Sequence, residues 1–113
     1  MITYLDIIQK GHAFYALKIY YNRTIRYKNT CDAYTKLTVS SLKLAFAIAI
    51  RDEVMRERPY HTLSDDKLEH LRKAVSYYLK TVVEPSDTID AQTKLDVIIL
   101  ENLLSRATTV KLR

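Results

Sequence analysis

One glycine and two prolines in 113 residues constrain this chain more than any other feature. Tight turns and sheet corners consume both residue types, so a chain this poor in them favours a few long helices with few connections. The length suits one domain, which at this size buries roughly two-thirds of its unfolded surface and needs no staples. Hydrophobic residues at 48% and charged residues at 27% describe a folded globule rather than a disordered chain. The expected architecture is an all-α, single-domain bundle of roughly four helices spanning residues 1–113, with no internal repeat.

Periodicity places the elements. Helix one is expected over residues 3–22, with Leu5, Ile8, His12, Tyr15 and Ile19 as one stripe. Ile7, Phe14, Leu17 and Tyr21 fall on nearly the opposite side. A helix that is apolar on two faces needs two partners, so these four form a candidate protein interface. Helix two is expected from Cys31 to Arg58, with Asn29 or Thr30 as cap and Pro59 as stop. Tyr34, Leu37, Ser41, Leu44, Ile48 and Met55 give it a core stripe, and the run Leu44–Ile50 (LAFAIAI) is expected to be the most buried part of the chain. Helix three has the clearest start. Ser64 is a good N-cap, Asp65 and Asp66 suit the positive helix end, and Leu63 and Leu68 stand at hydrophobic-staple positions. Its stripe is Leu68, Leu71, Val75, Tyr78, Leu79 and Val82. Ser86 or Asp87 is expected to cap helix four, which carries Leu95, Ile98, Ile99 and Leu103 on one side and ends near Ala107. Val97, Leu100 and Leu104 broaden its apolar arc. The short connection makes helices three and four a C-terminal antiparallel helical hairpin.

Charge is distributed unevenly. Residues 1–60 hold ten Lys or Arg and five Asp or Glu, whereas residues 61–113 hold eight of each, so the whole excess of +5 lies in the first half. Between Lys10 and Lys43 there are seven cations and one acid, Asp32. The stretch IYYNRTIRYK (19–28) adds tyrosines to this basic run. Cations release counterions from phosphates, and tyrosine faces stack on unpaired bases. Lys10, Lys18, Tyr21, Arg23, Arg26, Tyr27, Lys28, Lys36 and Lys43 are therefore the candidate nucleic-acid-binding residues.

Catalytic and metal chemistry find little support. A single cysteine, Cys31, excludes an internal disulfide and a Cys-based zinc site. One glycine rules out a P-loop and a dinucleotide fingerprint. Asp66 and His70 are four apart, which is too few ligands for a metal. The acids pair with cations at helical spacing, as Asp52 with Arg56, Asp32 with Lys36, Glu69 with Lys73 and Asp90 with Lys94, and read as solvated helix faces. The longest apolar run is seven residues, against about 20 for a membrane span.

The expectation is a small cytoplasmic binding protein, not an enzyme, with no cofactor, no metal and no membrane. Its partner is nucleic acid or a ribonucleoprotein, reached through the basic, tyrosine-rich half. The alternative is a helical adaptor or inhibitor module, self-associating or docked on an acidic protein surface.

Overall fold

The computed structural model describes residues 2–26, 33–55 and 61–112, without the side chain of His61. Among the described residues the chain is mostly helical, with four α-helices and a small sheet. In order these are β1 (Ile2–Leu5), α1 (Ile7–Tyr20), α2 (Ala33–Val54), β2 (His61–Thr62), α3 (Asp65–Tyr78), α4 (Ala91–Arg106) and β3 (Thr109–Leu112). Both α1 and α3 run on without a break into a π-helical turn, Tyr21–Ile25 and Leu79–Val83 respectively.

The sheet departs from the all-α expectation. β3 lies between the other two strands, parallel to β1 and antiparallel to β2. Its register sets Ile2 against Thr109 and Leu5 against Leu112, so the two ends of the described chain are joined. Alternation is clear once the pairing is known: Thr3, Leu5, Val110 and Leu112 face the core, while Ile2 and Tyr4 face outward. Helix one was expected to begin at residue 3. It begins instead after Asp6, whose carboxylate accepts from the Gln9 backbone N–H at 2.8 Å while Gln9 accepts from the Asp6 N–H at 3.0 Å. This capping box satisfies two end groups and frees residues 2–5 to pair as a strand.

The other starts follow the same chemistry. Ser64 caps α3 by accepting from Lys67 N–H, as expected. Asp90, not Ser86 or Asp87, caps α4 by accepting from Thr93 N–H at 2.7 Å. Ser86 instead closes a turn, its hydroxyl accepting from the backbone N–H groups of Thr88 and Ile89. The expected first residues of helix two, Cys31 and Asp32, and its expected end at Arg58 lie outside the described residues.

The two π turns share a local pattern that periodicity did not reveal. Tyr20-Tyr21-Asn22-Arg23-Thr24 is echoed by Tyr77-Tyr78-Leu79-Lys80-Thr81. In each, the threonine hydroxyl donates to the carbonyl of the first tyrosine, at 2.7 Å in both. In each, the closing N–H reaches back five residues, Arg26 to Tyr21 and Glu84 to Leu79. A hydroxyl bonded to the carbonyl four residues back competes with the ordinary ladder, which suits a widened turn. The first tyrosines of the two copies, Tyr20 and Tyr77, pack edge to face at 5.6 Å.

The core is built from α1, α2 and α3, with α4 and the sheet closing it. Its buried members include Ala13, Ala16 and Leu17 from α1, Val39, Leu42 and Phe46 from α2, Leu68, Leu71 and Val75 from α3, and Val97, Leu100 and Leu104 from α4. Leu63 and Leu68 are both buried. Gly11 is not required by packing, since a Cβ there would meet nothing within 4 Å.

Two expected stripes are turned over. On α2 the core face is Thr38, Val39, Leu42, Phe46, Ala49 and Asp52, whereas Tyr34, Leu37, Leu44 and Met55, expected inside, are 59–66% exposed. On α4, Val97, Leu100 and Leu104 are the core, and Leu95, Ile98 and Ile99 are exposed. The reason is the same in both. Each helix is apolar on more than one side, so periodicity cannot choose a face. α2 is also long and apolar enough, by length and composition, to cross a membrane.

Candidate functional site

The basic residues of the first half do not form one track. Lys10 is fully buried, and its Nζ sits 2.6 Å from Glu53 Oε2, tying α1 to the far end of α2. It was expected to meet phosphate; a side chain with no accessible surface cannot, and it belongs to the framework. Its neighbours on the buried face are Ala13, Ala16 and Leu17. Such small residues let helices approach closely, and a long side chain among them fills the space at the helix end.

The remaining cations gather around the π turn that ends α1. Lys18, Arg23 and Arg26 are exposed, and Lys36 and Lys43 are half-exposed on one flank of α2. The Lys43 ammonium lies 5.0 Å from the centre of the Tyr21 ring, which brings this cation of α2 beside the end of α1. Among the described residues, Lys18, Arg23, Lys36 and Lys43 are in no ion pair. Tyr27 and Lys28, also expected here, lie outside the described residues.

The tyrosines are less available than the sequence suggested. Tyr20 is engaged by Tyr77, and Tyr21 is half-buried against the core with Lys43 above it. Tyr15 remains half-exposed, edge to face with Tyr78 at 5.6 Å. Burial, with Tyr15 adding to it, pushes the Tyr78 hydroxyl above the ordinary tyrosine range. The patch therefore presents charge more than stacking surface.

The expected protein interface on α1 also changes. Leu17 is wholly buried, so it is a core residue. Phe14 and Tyr21 pack against the core while partly open, and Ile7 is exposed. Outward apolar surface is shared among Ile7, Ile8 and Tyr15 of α1, Tyr34, Leu37, Leu44 and Val54 of α2, and Leu95, Ile98 and Ile99 of α4. On α2, Ser41, Leu44, Ala45 and Ile48 line a shallow hollow of about 220 Å³.

A cavity of about 210 Å³ is lined by Arg72, Val75, Ser76, Glu101, Leu104 and Ser105. Its arginine is committed: Nε donates to the Leu104 carbonyl at 2.8 Å, one terminal nitrogen to the Ala107 carbonyl, and the other to Glu69 at 3.3 Å. Arg72 thus caps the negative end of α4. His70 Nε2 lies 3.8 Å from Asp66 Oδ1, too far for a hydrogen bond. Glu69 pairs with Arg72 rather than Lys73, and Lys94 donates to the Ser86 carbonyl at 2.7 Å rather than to Asp90. Among the described residues, no group of three or more His, Cys, Asp or Glu is placed to hold a metal ion.

No protein-family model, curated protein or solved structure matches this chain.

Proposed function

We propose that this protein is a non-enzymatic binding module for a polyanion, with nucleic acid as the class that fits, acting through Lys18, Arg23, Arg26, Lys36 and Lys43. The observation that carries the reading is the placement of cations against the helix dipole. Arg23 and Arg26 stand at the C-terminal end of α1, where a positive charge stabilises the helix. Lys36 stands in the first turns of α2, where the same dipole disfavours it, and among the described residues the first turn there holds no acid. Helix stability accounts for the first pair; for the lysine it offers only the i,i+4 spacing to Asp32, which lies outside the described residues. An anion bound across both elements accounts for all of them.

The reading rests on charge, because the tyrosines are largely engaged. It follows that affinity is salt-dependent and tolerant of sequence. Five phosphate contacts give a drop of roughly 130-fold on single strands and roughly 500-fold on duplex DNA between 50 and 200 mM salt. The experiment is a fluorescence-anisotropy salt series on single-stranded DNA, RNA and duplex DNA, with the joint Arg23→Ala, Arg26→Ala, Lys43→Ala variant beside the native chain. The triple variant is expected to lose most of the affinity and to flatten the salt slope by about three contacts' worth. Binding that is unaffected by salt, or retained in the triple variant, overturns the proposal.

α3 and α4 are inferred to form an antiparallel C-terminal hairpin. Arg72 near the middle of α3 reaches the last carbonyls of α4, and Lys94 near the start of α4 reaches Ser86 in the connection; both bonds support it. The alternative, a protein-interaction module, is favoured by the exposed apolar face of α2.

A further inference from the structure

The outer face of α2 is ordered in a way that a merely greasy helix is not. Tyr34, Leu37, Ser41, Leu44, Ile48, Arg51 and Met55 recur at alternating spacings of three and four across the helix. That is a strict 3.5-residue seam, the period at which two helices stay in contact along their whole length. The seam lies opposite the core face formed by Val39, Leu42, Phe46 and Ala49. Of its members, Tyr34, Leu37, Leu44 and Met55 are 59–66% exposed, and the Arg51 side chain is 66% exposed. The hollow at its centre is bounded by Ser41, Leu44, Ala45 and Ile48, which stand at i, i+3, i+4 and i+7. Four residues so spaced form the hole that takes one side-chain knob from a facing helix.

We propose that this seam pairs with the same seam of a second copy of the chain, antiparallel, about a two-fold axis that passes beside Leu44. The two-fold follows from the midpoint: Leu44 and Ala45 bisect the stripe from Tyr34 to Met55, and Leu44 of each copy meets the other's hollow. Charge sets the direction. One end of the seam carries Arg51, whose exposed guanidinium also donates to the buried Asp52 Oδ1 at 3.0 Å. The other carries the Asp66 carboxylate, half-exposed and held there by the Tyr34 hydroxyl, which donates to it at 3.0 Å. Antiparallel pairing brings the cation end of each copy to the acid end of the other. Parallel pairing would stack Arg51 on Arg51 in the seam, with like charges opposed. The paired surface is on the order of 1,000 Å² in total, at the lower edge of stable interfaces, so the dimer forms with rising concentration.

Antiparallel pairing has a geometric corollary. A two-fold perpendicular to the helix pair keeps corresponding flanks on one side. The Lys36 and Lys43 flanks of both copies then face the same way and double the basic patch. That corollary rests on the polyanion reading; the pairing does not.

Sedimentation equilibrium from about 5 to 500 µM, without nucleic acid, tests the pairing at protein concentrations that bracket weak interfaces. A monomer–dimer equilibrium is expected. Leu44→Glu should weaken it at least 10-fold with an unchanged helical melt, since Leu44 is outside the core. Arg51→Glu should also weaken it about 10-fold, its helical melt being followed in parallel because Arg51 pairs with Asp52, and R51E combined with Asp66→Lys should restore it, because the swap returns opposite charges to each end. A monomer throughout the range overturns the proposal, as does a dimer indifferent to Leu44→Glu. A dimer that R51E leaves intact, or that R51E/D66K fails to recover, overturns the antiparallel direction. A monomer that floats with neutral lipid vesicles in an α2-dependent way assigns the face to a membrane instead.

Discussion

The buried Lys10–Glu53 pair makes an unequal demand on its two members. The Lys10 side chain has no accessible surface, while that of Glu53 is 38% exposed. Replacing Glu53 by methionine removes the carboxylate that lies 2.6 Å from an ammonium inside the fold, and breaking such a pair costs about 3–5 kcal/mol in comparable cases. Replacing Lys10 by methionine leaves a carboxylate that water can still reach, and the loss falls to about 1 kcal/mol, the scale of a solvent-screened pair. The double replacement K10M/E53M removes both charges and keeps the volume, and is expected to lie within about 1 kcal/mol of the native chain. Near 100 residues, each kcal/mol moves the melting temperature by about 4 °C, so Glu53→Met should lower it by roughly 12–20 °C and Lys10→Met by roughly 4 °C. Circular-dichroism melts of the four proteins give the comparison, and urea midpoints check it. A Lys10→Met loss as large as that of Glu53→Met refutes the reasoning, and so does a double variant no more stable than Glu53→Met alone.

Two further predictions concern faces and caps. Phe46→Ala on the inner side of α2 should cost about 3–5 kcal/mol, while Leu44→Ala two residues earlier should change monomer stability by about 0.5 kcal/mol or less; equal losses in denaturant titrations would contradict the assignment of faces. Thr93, through its backbone N–H and then its hydroxyl, holds the Asp90 carboxyl below the ordinary range. Because the folded value is the lower one, this cap's contribution is present above the unfolded pKa of about 4 and is lost as pH falls through the folded value. Asp90→Asn keeps an acceptor without titrating, so its urea midpoint should fall less than the native one between pH 7 and pH 3. Parallel profiles would remove Asp90 from the acid response.

How far the elements were legible follows from where each side chain's environment is decided. α3 could be read because its polar and apolar residues separate cleanly: Leu68, Leu71, Val75, Tyr78 and Leu79 are all buried as the spacing implied. α2 and α4 could be read as helices but not oriented, because Leu44–Ile50 and Val97–Leu100 offer apolar side chains in every direction. The α1 start was visible in Asp6 and Gln9, a capping box that a helical reading of residues 3–5 hid. At the candidate site the cations were plain from charge counting. The burial of Lys10 and the engagement of Tyr20 were not, since each depends on a residue more than forty positions away.

From its sequence alone, this protein was bound to be a helical single chain with its positive charge in the first half. Scarce glycine and proline, local capping chemistry and a count of ionisable residues decide those properties within a few residues of each position. The tertiary structure decided what no local rule can reach. It paired β1 with β3 across the chain and turned the regular stripe of α2 outward. It also drew Lys10 inside to meet Glu53. A four-residue strand has no stability without its partner, and a helix with two apolar faces buries the one that its neighbours can cover.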